Sequence, residues 1–173
     1  MRVKRLAVLL AVFFSAALVA AQQASAGGPS GAKNILRVSG PRHEPIDLSE
    51  ADLRGMAHVL VTIHNPHTNA DEIYVGVRLA EVLAKIKVPL GSDLHGEALA
   101  NYVVATGSDG YKAVFSLAEA DPSFHPGDVI VADAMDGKPL DAHSGPFRLV
   151  VTEDKRPARC VRNLVSIELK AAQ

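Results

Sequence analysis

Tryptophan is absent from this chain of 173 residues, cysteine occurs once, and aromatic residues amount to 5%. With so few aromatic rings, a stacking platform for sugars or nucleobases is not expected. The single cysteine, Cys160, excludes an internal disulfide and any zinc or iron–sulfur centre built from several thiolates. Stability must come from a packed core, with Cys160 either a small buried hydrophobe or a thiol available for intermolecular pairing. An excess of charge is missing as well: the formal net charge is −1. Arg2, Lys4 and Arg5 stand at the extreme N-terminus, so the remainder carries about −4. That balance speaks against general nucleic-acid binding and against a polybasic membrane patch. Beyond residue 26 no apolar run approaches the length needed to span a bilayer.

What is present begins with an export pattern. The three basic residues precede an apolar stretch, Leu6 to Ala20, and then the small residues Ala24-Ser25-Ala26. Basic, apolar and small segments in this order predict a signal peptide over residues 1–26, cleaved before Gly27, with Val19-Ala20-Ala21 as a second cleavage position. The alternative is a retained anchor, but the run falls short of the roughly 20 residues a spanning helix needs. Residues 27–33 read as a flexible Gly/Ser/Pro leader and 34–173 as one domain. Removing 26 residues leaves 147, an ordinary size for one core.

Along that domain the chain changes character about every ten residues. Ile35–Ser39 reads as a strand ending at Gly40-Pro41, and Ser49 as the N-cap of a short helix from Glu50 to Gly55. His58–Ile63 is a β-rich run stopped by Asn65-Pro66. A helix is predicted from Val77 to about Lys87, with Leu79, Val82, Leu83 and Ile86 on one face. Strands follow at Asn101–Ala105, Tyr111–Phe115, Val129–Ala132, Phe147–Thr152 and Leu164–Leu169, with turns at Asp109-Gly110 and Asp136-Gly137. The class is α+β, a mixed and mostly-β single domain.

Three groups of residues invite a chemical reading. His64-Asn65-Pro66-His67, followed by Asn69, Asp71 and Glu72, presents imidazoles and carboxylates suited to a divalent ion. Pro66 prevents helical presentation of His64 and His67, and a solvated loop is the plainer account. Ser144 lies in His143-Ser144-Gly145, which lacks the strand–turn–helix setting of a hydrolase nucleophile, and no Gly-rich phosphate loop occurs. Lys155, Arg156, Arg159 and Arg162 form a basic stretch in an otherwise acidic domain. Arg159 and Arg162 would converge on an anion if their turn were helical, and would otherwise be solvated charges.

The C-terminal half, taken in order, resembles a known family. The pieces are Gly107-Ser108-Asp109-Gly110-Tyr111 with Phe115-Ser116-Leu117, then Val129–Ala132 through Asp136-Gly137-Lys138-Pro139-Leu140. His143-Ser144-Gly145-Pro146-Phe147-Arg148 follows, and Arg159-Cys160-Val161-Arg162 with Val165–Leu169 closes the series. With Tyr74-Val75-Gly76-Val77-Arg78-Leu79 upstream, they resemble the molybdopterin-binding domain of the sulfite oxidase family across residues 35–170. The resemblance implies that fold. It also implies that His143 and Arg148 match a His-Gly-x-Pro-x-Arg stretch near the cofactor, that Arg159 and Arg162 match a basic cofactor-binding turn, and that Tyr111 falls near a substrate-side tyrosine.

The chain also departs from that pattern. Enzymes of the family hold molybdenum through a cysteine after the strand that precedes the main helix, where this chain reads Ile63-His64-Asn65-Pro66-His67. Cys160 lies far along the sequence and is not expected to replace that ligand. No cofactor is therefore expected, and molybdopterin enters by resemblance only. The expected function is an exported, non-catalytic module that binds a small anion, a pterin-like molecule or a periplasmic partner protein. The alternatives are an oxidoreductase with atypical ligation, His64 lying near the metal, and an accessory subunit of a redox complex. Exported enzymes of this family generally leave the cytoplasm folded, by the twin-arginine route. Arg2-Val3-Lys4-Arg5 lacks an adjacent arginine pair, so the general secretory route is expected, to the periplasm or the medium.

Overall fold

The computed structural model describes residues 34–172. The expected signal peptide and leader lie outside the described residues. Strand β1 (Ile35–Gly40) buries Leu36 and Val38 by simple alternation and turns through Arg42, at φ 63°, into β2 (His43–Ser49). The sequence reading assigned no strand to residues 43–47, which contain Pro45. A proline cannot donate to a ladder, and β2 tolerates it because it is the edge of its sheet. Helix α1 (Glu50–Arg54) begins where expected. The Ser49 hydroxyl accepts from the Asp52 amide at 3.2 Å, and the Asp52 carboxylate accepts from the Ser49 amide at 2.8 Å.

Strands β3 (His58–Asn65) and β4 (Ala70–Arg78) form a hairpin turning at Asn69, and helix α2 covers only Leu79–Ala84. This corrects two expectations. Residues 70–72 are strand rather than loop, and the helix starts two residues later than Val77 and ends at Ala84 rather than near Lys87. The cause is tertiary: Tyr74 to Val77 bond to β3 on one side and β7 on the other, which holds them extended against any helical preference. The expected apolar stripe does face the core: Leu79, Val82, Leu83 and Ile86 are all buried.

The remaining strands are β5 (Asn101–Gly107), β6 (Lys112–Ser116), β7 (Val129–Met135), β8 (Lys138–Pro139), β9 (Arg148–Val151) and β10 (Leu164–Ala171). Both predicted turns are present, with positive φ at Gly110, Asp136 and Gly137. One sheet runs β2-β1-β10-β5-β6, antiparallel except for the parallel pair β1–β10. The other runs β3-β4-β7, with both β8 and β9 also paired to β7. Leu36, Val38, Phe115 and Ile167 of the first sheet share a core with Val77, Val131 and Leu149 of the second, together with α2. Alternation along β7 sends Ile130 and Ala132 to the opposite face, where they join Val61, Ile63, Tyr74 and Val150 in a smaller cluster. The result is the expected mostly-β single domain, carrying two short helices. No helix among the described residues is long and apolar enough to cross a membrane.

Gly76 lies opposite Ala132 at the bulge between β4 and β7. A Cβ there would stand 2.5 Å from the Ala132 Cα and still closer to the Val131 carbonyl oxygen, both backbone atoms. Gly76→Ala should therefore destabilise by about 3 kcal/mol, and Ser49→Ala by about 1 kcal/mol through loss of the cap. Denaturant unfolding checks both. Equal losses in the two variants would show that β4 and β7 can move apart at little cost.

Candidate functional site

A cleft of about 1220 Å³ opens between the start of β1, the Pro139–Pro146 loop and Ser108, Asn163 and Val165. Gly145 and Pro146, joined by a cis peptide bond, form part of its wall. Four carboxylates line it: Asp47, Glu50, Asp133 and Asp141. Its cation, Arg37, is bonded to Asp47 at 3.1 Å. Asp141 holds the loop in shape by accepting the amides of His143 and Ser144 at 3.1 and 2.9 Å. Asp133 is held by His58, whose Nε2 lies 3.2 Å from its carboxylate.

None of the five residues singled out by resemblance lines this cleft. Arg148 projects from β9 on the smaller cluster's face and donates to the Tyr74 hydroxyl at 2.6 Å, its guanidinium 4.9 Å from that ring's centre. Tyr74 donates in turn to Glu72 at 2.7 Å, and Asn65 donates to the other oxygen of Glu72 at 2.6 Å. Burial, reinforced by the bond to Glu72, pushes the Tyr74 hydroxyl well above the usual phenol value. The Arg148 Nε is buried without a hydrogen-bond partner among the described residues. The bridge between Leu149 and Val161 sets Arg162 opposite Arg148 and brings Cys160 alongside them. The thiol of Cys160 is pushed upward by burial, an effect that a bond with the Val151 backbone and the nearby Arg148 only partly offset.

Arg159 and Arg162 do not converge. The Pro157–Arg159 segment is a single 3₁₀ turn that ends before Arg162, and the two side chains bond different partners. Arg159 bonds both oxygens of Asp154 at 2.8 and 2.6 Å and Glu119 at 2.9 Å, and it stacks 4.8 Å over Phe115. Its fork is committed to the protein itself. Arg162 Nη1 lies 2.6 Å from His143 Nε2, the one pair among the five joined by a hydrogen bond. Tyr111, about half exposed, donates to the Ala158 carbonyl and so ties the β5–β6 turn to the Arg159 turn.

His64 sits on the exposed end of the β3–β4 hairpin with Nδ1 2.9 Å from Asp71, and the His67 amide donates to Asn65. Among the described residues no group of three or more His, Cys, Asp or Glu side chains is placed to hold a metal ion. The sequence reading missed Asp133, Asp141 and the Tyr74–Glu72 pair. The Asx turn at Asp141 had a local signal in Leu140-Asp141-Ala142-His143-Ser144. Asp133 depends on His58, 75 residues away, and the Tyr74–Glu72 pair, though two residues apart, takes its setting from Arg148, 74 residues on.

Burial alone would raise the Glu119 carboxyl, but bonds from Arg159 and Ser116 outweigh it and hold the group below the usual range. Asp121 is likewise lowered, by the Gly91 and Ser123 amides against its burial. A carboxyl depressed in the folded state contributes stability that is complete at neutral pH and lost as pH falls through its folded value. The melting temperature should therefore drop as pH is lowered below about 4. Glu119→Gln should melt lower at pH 7 and show a shallower acid fall, and an unchanged slope would rule out this contribution.

The fold is similar to that of the sulfane dehydrogenase SoxCD from Paracoccus pantotrophus, with a TM-score of 0.62 at 19% identity. That likeness covers 80% of this chain and 39% of the SoxCD chain, so this protein spans well under half of that chain's length. No curated protein matches the sequence. The family described as "Oxidoreductase molybdopterin binding domain" matches residues 29–173. With the match covering most of its length, this chain belongs to the oxidoreductase molybdopterin-binding domain family.

Proposed function

We propose that this chain is an exported binding module of the family, one that binds a pterin-like heterocycle in the cleft and performs no molybdenum oxo transfer. The observation that carries the reading is the placement of its one thiol. Thiolate ligation of a metal needs an accessible sulfur that ionises readily. Cys160 is partly buried, is raised by that burial and lies against the Arg148 guanidinium. His64 and His67 stand on an exposed turn where the nearest carboxylate, Asp71, already bonds His64. This donor set does not fit a thiolate-bound molybdenum.

The cleft fits the organic part better than the anionic part of such a cofactor. A carboxylate accepts two parallel hydrogen bonds, and the amino and ring N–H edge of a pterin offers two parallel donors. The acidic lining, whose one arginine is already bonded to Asp47, favours that edge over a phosphate or a small anion, and Asp141 bonds its loop through Oδ1 alone, while Ile35, Leu140 and Pro146 offer apolar contact to a ring. Export is part of the proposal and is supported by the basic, apolar and small-residue order of residues 1–26.

Titration with neopterin, followed by its fluorescence, tests the cleft. Binding is expected, with affinity about tenfold weaker in Asp141→Asn, a change that keeps the turn-capping oxygen. Absence of binding at millimolar neopterin, or equal affinity in the variant, removes the cleft reading. Elemental analysis of chain purified from its own host should show molybdenum far below one per chain, and stoichiometric molybdenum overturns the non-catalytic reading. N-terminal sequencing of the exported product should begin at Gly27. Full-length chain retained in the cytoplasm contradicts export.

A further inference from the structure

Sheet edges expose unpaired backbone donors and acceptors, and proteins blunt them with proline, charge, shortness or cover. Most of the edges here carry such a device. β2 holds Glu44, Pro45 and Asp47; β6 is five residues long and opens with Lys112; β8 is Lys138–Pro139. The outer edge of β9 is closed by Val161, through Leu149 N to Val161 O at 2.8 Å and Val161 N to Leu149 O at 3.0 Å. β3 has none of these. It is eight residues long, contains no Lys, Arg, Asp, Glu or Pro, and pairs with β4 alone among the described residues. Leu60, near its middle, is 65% exposed, and Ile73 on the neighbouring strand is 41% exposed.

This edge is complementary to itself. In an antiparallel pairing about a two-fold axis at Val61, Val61 meets Val61, Val59 meets Ile63, Leu60 meets Thr62 and His58 meets His64. Each pair joins side chains of the same face, so the buried row of Val59, Val61 and Ile63 continues across the junction. No formally charged side chains of like sign oppose one another. His58 and His64 each already face a carboxylate of their own copy, Asp133 and Asp71. We infer that the free edge of β3 docks the same edge of a second copy of this chain, joining two sheets into one across the dimer.

One edge strand per copy makes a small interface, so the dimer is a weak one, with Kd on the order of 10–100 µM. Sedimentation velocity on the purified chain over roughly 5–200 µM should show a concentration-dependent monomer–dimer equilibrium. Leu60→Lys sets two lysines diagonally across the axis, at positions about 7–8 Å apart on the facing strands. It should abolish the dimer and leave the melting temperature unchanged, because Leu60 is exposed. Thr62→Lys serves the same end should the first variant fold poorly. Val114→Lys, on the exposed face of β6, should dimerise as the parent does. A parent chain that stays monomeric overturns the inference, as does a dimer that survives the β3 lysines or is lost equally in Val114→Lys. A monomer whose β3 amides resist hydrogen exchange also overturns it, and assigns the edge to a different occupant.

Discussion

The C-terminal strand lies in the middle of the first sheet, parallel to β1 and antiparallel to β5. The rest of the structure depends on that insertion. A parallel pair cannot be joined by a tight turn, so everything between β1 and β10 forms the crossover, including the whole second sheet. Leu36 and Val38 then share a core with Ile167 and Leu169 as well as with Leu48 of the neighbouring β2. Contacts of this sequence range bring loop-closure entropy, and they reward it only when both ends of the chain are in place. The fold is accordingly a single cooperative unit, and its cleft, walled by β1, the Pro139–Pro146 loop and the start of β10, exists only once that unit is complete.

The same long-range pairing changes what the basic residues do. Three arginines that look alike as sequence have three different surroundings. Arg159 spends its fork on Asp154 and Glu119 and pins its turn to β6. Arg148 is folded over Tyr74, with Glu72 one hydrogen bond beyond. Arg162 meets His143 near the surface. A cation already satisfied by two carboxylates adds little to anion recognition, because a ligand would have to compete with bonds the fold supplies at no translational cost. The cleft's own lining is acidic, and none of these three arginines reaches it.

Much of the architecture was legible because its signals are local. Strands announced themselves as β-branched runs between Gly, Asp and Asn turns, and the Ser49 cap followed from one serine and one aspartate three residues apart. The failures share a cause. β2 was hidden by a proline that is harmless only at an edge, and the end of β4 was hidden by a helical stripe that begins one residue after it. In both places position within the sheet outweighed local preference. The open edge of β3 follows the same logic: its lack of charge was visible in the sequence, but its lack of a second neighbour among the described residues was not.

The sequence by itself determined the pattern of buried and exposed positions, the turns, the helical stripe, the single thiol and the family, since each rests on residue type and short spacing. The tertiary structure alone decided which side chains share a site. Tyr74 meets Arg148 across 74 positions, Glu119 meets Arg159 across 40, and Cys160 comes to lie beside Arg148 through one bridge at Leu149 and Val161. Such meetings are set by sheet order and register, which are properties of the whole chain. Shifting β9 by one residue would move Arg148 to the opposite face and dissolve the network without changing a single amino acid.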